Sequence, residues 1–174
     1  MPRYSVVNEG ISRNQILTSF PGRPAENQRG IDRFARDVLG RPNVKVVVID
    51  LGVNDVLHDA AADRILTGLR TLVRQAHAHG IKVVGATLMP FGGHPRYSAA
   101  RRPYDRRSTR GSGAARSTTP SSTSTRRCAT RTPRADTPPS TTRGDHLHPS
   151  DRGYRRMADT IDLTDLKGAV PARL

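Results

Sequence analysis

Near its C-terminus the chain reads Gly144-Asp145-His146-Leu147-His148-Pro149. An Asp stands three residues before a His, and a Pro fixes the backbone directly after it. A carboxylate that orients an imidazole, and an imidazole that takes a proton from a nucleophile, are two members of a hydrolytic triad. The bland alternative for Asp145 and His148 is a surface loop leading into a helix N-cap. The third member would be a Ser. Ser5 and Ser12 are possible substitutes, but nothing marks a nucleophile turn around Ser12.

A second motif supports the first. Val46-Val47-Val48-Ile49-Asp50-Leu51 is an apolar run that reads as a buried parallel strand. It leads straight into Gly52-Val53-Asn54-Asp55. A Gly lets the chain turn sharply at a strand end. Asn54 then projects at the C-terminal edge of the sheet, where open α/β sheets place their ligands. A side-chain amide there can donate to a developing oxyanion. A plain turn Asn is the alternative for Asn54. Asp55 reads as a cap for the next helix or a clamp on the loop.

At these residues the sequence resembles the SGNH (GDSL) hydrolases. Gly52–Asp55 looks like block III, Asp145–Pro149 like block V, and Tyr4-Ser5-Val6-Val7-Asn8-Glu9-Gly10-Ile11-Ser12-Arg13-Asn14 like block II. Three motifs in the family order, with a strand and a helix between them, are more specific than any one alone. The likeness covers roughly residues 1–100 and 144–165. It implies an α/β, flavodoxin-like three-layer sandwich with a parallel sheet, and an ester hydrolase acting on a small-molecule or glycan ester. Asn54 would be an oxyanion donor, Asp145 the orienting acid and His148 the base. Block II usually has Gly where Arg13 stands, and that backbone N–H helps to form the oxyanion hole. Where Gly is used for φ > 0, a non-Gly residue costs about 1 kcal/mol or more.

The family's nucleophile lies in a Gly-Asp-Ser block after a first strand, ahead of block II. The chain starts almost inside block II, so the expectation is a truncated domain without that strand or its Ser, and with impaired activity. The first strand is central in this fold, so its loss should expose the strands beside it.

At 174 residues the chain suits one domain. Net charge is +14, which on its face points to nucleic acid or an anionic surface. The charge is unevenly spread, however. Residues 101–143 hold eleven Arg against two Asp, or +9 of the total, together with seventeen Ser or Thr and no Val, Ile, Leu, Met, Phe or Trp. Such a segment cannot bury enough surface to offset the entropy of ordering and reads as disordered. The domain therefore divides into 1–100, a low-complexity segment 101–143, and 144–174 carrying the Asp-His block. A basic segment contacting nucleic acid is the competing function, but only Tyr104 could stack on a base there. A glycan- or acyl-binding remnant without catalysis is a third.

Arg (26 residues) far exceeds Lys (3), as GC-rich coding would produce. Back-translating residues 102–132 with chosen GC-rich codons and reading two bases on yields a string with an amphipathic helix, a Trp and an alternating strand. The expectation is that residues 101–143 are a frameshift.

Cys128 is the only cysteine, so no internal disulfide can form. No run approaches a membrane span. No N-terminal apolar region is present, so a cytoplasmic location is the default reading. No cofactor is expected. His58 and His94 read as isolated loop residues and His146 as a structural neighbour. None shows metal-ligand spacing. Gly10 serves the backbone.

The elements that position these residues follow from periodicity. Residues 5–7 are a short strand candidate. Residues 30–39 have helical spacing ended by Gly40-Arg41-Pro42. A strand over 44–51, a helix over 60–79 closed by Gly80, and a strand over 82–88 make a parallel β-α-β unit. Residues 89–95 form a loop at the strand's C-terminal end, a natural substrate rim. Ser150 caps a last helix through Asp162, with Tyr154, Met157, Ala158 and Ile161 facing inward.

Overall fold

A computed structural model describes residues 5–89, 91–97, 142–161 and 166. The expected disorder of 101–143, along with Tyr104 and Cys128, falls on residues outside the described ones, apart from Thr142 and Arg143. The chain is α/β. Helix α1 (Gly30–Phe34) runs on into a π-helical turn (Ala35–Leu39), and Gly40 closes it by donating its N–H to the Ala35 carbonyl. Strand β1 (Val46–Ile49), helix α2 (Val53–Leu57), helix α3 (Ala62–Ala78) and strand β2 (Lys82–Gly85) follow, and helix α4 (Asp151–Asp159) comes last.

The two strands pair in parallel, with Val46 beside Lys82 and Ile49 beside Gly85. Both are shorter than their apolar runs. Parallel strands need a crossover, and α3 supplies it. Its apolar residues recur at helical spacing, so Ile65, Leu72 and Ala76 are buried on one face. Gly80 ends α3 with φ +67°, a conformation in which a Cβ is costly. Gly68 lies on the buried face of α3, where a Cβ would come within 2.6 Å of the Ile16 side chain. That missing side chain lets the block II segment settle against α3, and Ile16 there is completely buried.

Three expectations need correction. Residues 5–7 form no strand, and Val6 and Val7 stay exposed. A strand needs a neighbouring edge to satisfy its backbone, and none of the described residues supplies one. The apolar run of β1 is covered on one face only. Ile49 is buried, but Val48 is 55% exposed, because nothing among the described residues packs on its side. Helix α4 forms and is capped, with Ser150 Oγ accepting the Gly153 N–H at 3.2 Å. Its apolar residues do not turn inward: Tyr154, Ala158 and Ile161 are exposed, Met157 is half-buried and Gly153 is the buried position. Amphipathic spacing marks a face but does not provide the surface to bury it against.

Candidate active site

The β1–α2 elbow is built as its residue types require. Gly52 stands at φ +121°, which only Gly adopts easily, and turns the chain into α2. Asn54 thus sits in the first turn of α2, just beyond the C-terminal end of β1. Its Nδ2 donates to the Asn14 carbonyl at 3.2 Å, which holds the amide against block II. Asp55 is completely buried. Its Oδ2 accepts the Ile16 N–H at 2.9 Å and its Oδ1 the Leu17 N–H at 3.0 Å. Asp55 is therefore the clamp on the block II loop, and the cap position belongs to Gly52. Burial pushes its carboxyl above the usual range, and the backbone N–H donors oppose that shift.

Block II is held from its other side by a buried polar network. Asn14 Nδ2 donates to Asn27 Oδ1 at 2.6 Å and to the Gln28 carbonyl at 2.7 Å. Asn14 Oδ1 accepts from Arg33 Nε at 3.1 Å and Nη2 at 2.9 Å. Arg33 Nη1 donates to the Glu9 carbonyl and to Asp37. This network over-determines the loop and fixes Arg13 at φ +60°. The left-handed conformation anticipated for a Gly position is present with an Arg in it. The Arg13 guanidinium lies 5.8 Å from the centre of the Phe20 ring.

Arg13→Gly is expected to raise stability. Relief of left-handed strain is worth about 1–2 kcal/mol. Loss of the exposed cation–π contact and the greater freedom of an unfolded Gly together cost roughly 0.5–1 kcal/mol. The net gain should reach up to about 1 kcal/mol, read as a higher urea midpoint with an unchanged slope. A drop in the midpoint would show that the guanidinium contact outweighs the strain.

The second half of the site is the 142–150 turn. His148 Nδ1 lies 2.5 Å from Asp145 Oδ2. Asp145 Oδ1 also accepts the Leu147 N–H at 3.0 Å and the His148 N–H at 2.9 Å. Arg143 N–H donates to the His148 carbonyl at 2.9 Å, and Gly144 at φ +90° and His146 at φ +57° provide the bends. The His148 ring, then the two backbone donors, hold the Asp145 carboxyl well below the usual carboxylate range, so it is ionised at neutral pH. A carboxylate on Nδ1 takes a hydrogen bond from that nitrogen and turns Nε2 away from itself. The side chains are 62% and 44% exposed, so the pair adds little stability. Half-buried Leu147 and buried Pro149 dock the turn on the core.

The structure joins Asn54 to block II beside Arg13, and Asp145 to His148. No hydrogen bond among the described residues links one pair to the other. Ser12 and Ser5 are both exposed. Periodicity gave no sign of the Asn14–Asn27–Arg33 network. Only the Arg33–Asp37 spacing of four along a helix was readable as an ion pair. His58 and His94 are not isolated. His58 Nδ1 meets the Asn54 carbonyl at 2.8 Å, its Nε2 lies 3.3 Å from Arg96 Nη1, and His94 Nδ1 accepts the Arg96 N–H.

Among the described residues, no helix is long and apolar enough to cross a membrane. A family model described as GDSL-like Lipase/Acylhydrolase family matches residues 1–156. No curated protein matches the chain.

Proposed function

The chain belongs to the GDSL-like lipase/acylhydrolase family, a hydrolase lineage, and from that premise we propose a site built for acyl transfer from an ester to water. His148 is the general base and Asp145 the orienting carboxylate. The Asn54 amide and the Arg13 backbone N–H are the oxyanion donors. The observation that supports this most is the 2.5 Å contact between His148 Nδ1 and an Asp145 already fixed by two backbone N–H groups. It aims the free Nε2 away from the carboxylate, as a base that serves a hydroxyl requires.

No Gly-Asp-Ser stretch occurs in the 174 residues. We therefore propose that this chain by itself is catalytically defective. In a complete site, Ser Oγ would attack the acyl carbon and pass its proton to His148 Nε2. The tetrahedral oxyanion would accept hydrogen bonds from Asn54 and Arg13, and collapse would expel the alcohol with that proton. Water would then release the acid. The substrates of this reading are small-molecule or glycan esters.

The experiment is hydrolysis of p-nitrophenyl acetate by the 174-residue chain beside its His148→Ala variant. Equal, background rates are expected. A rate that His148→Ala abolishes would overturn the defect and place a working nucleophile within these residues. A rate that survives in His148→Ala would overturn the assignment of the base.

A further inference from the structure

The two halves of the site come from residues about ninety positions apart, and one loop touches both. We propose that the 91–97 loop is the brace that sets the oxyanion helix and the Asp-His turn against each other, with Arg96 and Gly93 as its positioning residues. The inference rests on the site reading above.

The loop is rooted in the core. Phe91 is fully buried, and Tyr97 meets its ring edge-on with centroids 5.5 Å apart. From that root it reaches in two directions. Toward α2, Arg96 Nη1 lies 3.3 Å from His58 Nε2, and His58 Nδ1 lies 2.8 Å from the carbonyl of Asn54. The two contacts agree on one neutral tautomer. Nδ1–H donates to the carbonyl, and Nε2 accepts from the guanidinium. The residue carrying the oxyanion amide is thus tied through an imidazole to the rim loop. Toward the Asp-His turn, the His146 ring lies over Gly93. A Cβ on Gly93 would fall 2.9 Å from His146 Cγ and 3.0 Å from its Nδ1. Gly93 also stands at φ +95°, so both its space and its backbone require Gly. His146 and His148 flank Leu147, which packs on the core. Seating the His146 ring therefore sets the height of the catalytic imidazole two residues on.

Neither residue touches a reacting atom in this proposal. A 1 Å misplacement of a base relative to its oxyanion donors costs much rate, which is the effect such a brace prevents.

The test is amide hydrogen exchange resolved by segment, which needs no turnover. Failure of the brace and failure of the catalytic reading therefore show in different experiments. Gly93→Ala should speed exchange across 142–150 about tenfold, and Arg96→Ala should do the same across 53–58, both without change in α3. Gly92→Ala is the control on the same loop, because a Cβ there meets nothing within 4 Å, and it should leave every segment unchanged. Should Gly93→Ala fail to fold, His146→Gly removes the same contact without adding an atom and should speed 142–150 alike. Unchanged exchange in 142–150 for Gly93→Ala or His146→Gly would overturn the proposal. So would an equal effect from Gly92→Ala, or acceleration spread evenly through α3.

Discussion

Asp55→Ala is expected to cost about 3–4 kcal/mol of folding stability, enough to leave a marginal domain largely unfolded. The carboxylate is completely buried and accepts the backbone N–H groups of Ile16 and Leu17. Truncation leaves both donors without an acceptor, and an unsatisfied buried donor costs about 1–3 kcal/mol. Asp55→Asn separates hydrogen bonding from charge. One amide oxygen can keep one N–H, but the NH2 group must face the other donor, so about half the loss should remain. Urea unfolding of the two variants checks both values. Equal stability of wild type and Asp55→Ala would show that the loop finds other acceptors. Block II would then not depend on the elbow that presents Asn54.

Arg33→Ala should be similarly damaging, at about 3 kcal/mol, the low end for breaking a buried ion pair. Arg33 and Asp37 are 7% and 9% exposed, and Arg33 also supplies both donors to Asn14 Oδ1. The loss stays at the low end because Asp37 keeps Arg36, whose Nε lies 2.6 Å from Oδ1. Arg33→Lys keeps the charge but not the fork that spans Asn14, Asp37 and Glu9 at once, so roughly half the loss should persist. The same network sets an acid limit. Arg36, reinforced by Arg33 and opposed by burial, lowers the Asp37 carboxyl. A carboxyl lowered by folding contributes fully above its unfolded value near pH ~4, and the contribution is lost as pH falls through the folded value. Asp37→Asn should therefore flatten the stability profile below about pH 4. A profile as steep as wild type would assign the acid limit to other carboxylates.

Much of the candidate site's local geometry was readable in the order of residues. Asp145 and His148 are three apart, and Asp145 also accepts the His148 backbone N–H, so the turn that aims the ring is local. Gly52 must turn, because an apolar strand ends there and a helix begins. The β-α-β unit follows from its periodicity, and Gly80 from the need for a left-handed residue after α3. The strain at Arg13 was readable too, since the position is occupied by Gly in the resemblance and φ is +60° here.

What tertiary structure alone decided are the polar contacts between distant segments. Asp55 binds residues 38 and 39 positions away, Asn54 one 40 away, and Arg96 meets His58 across 38. Asn14 and Arg33 are polar residues that burial turned into a scaffold. Polar burial has no period along a chain, because it depends on which donor arrives opposite which acceptor once the core has closed. Covering an apolar face depends on the same closure. The sequence by itself determined that Val48 and Tyr154 lie on apolar faces. Whether anything covers those faces is set by packing between elements, and among the described residues both stay open because a hydrophobic pattern specifies an orientation and not a partner.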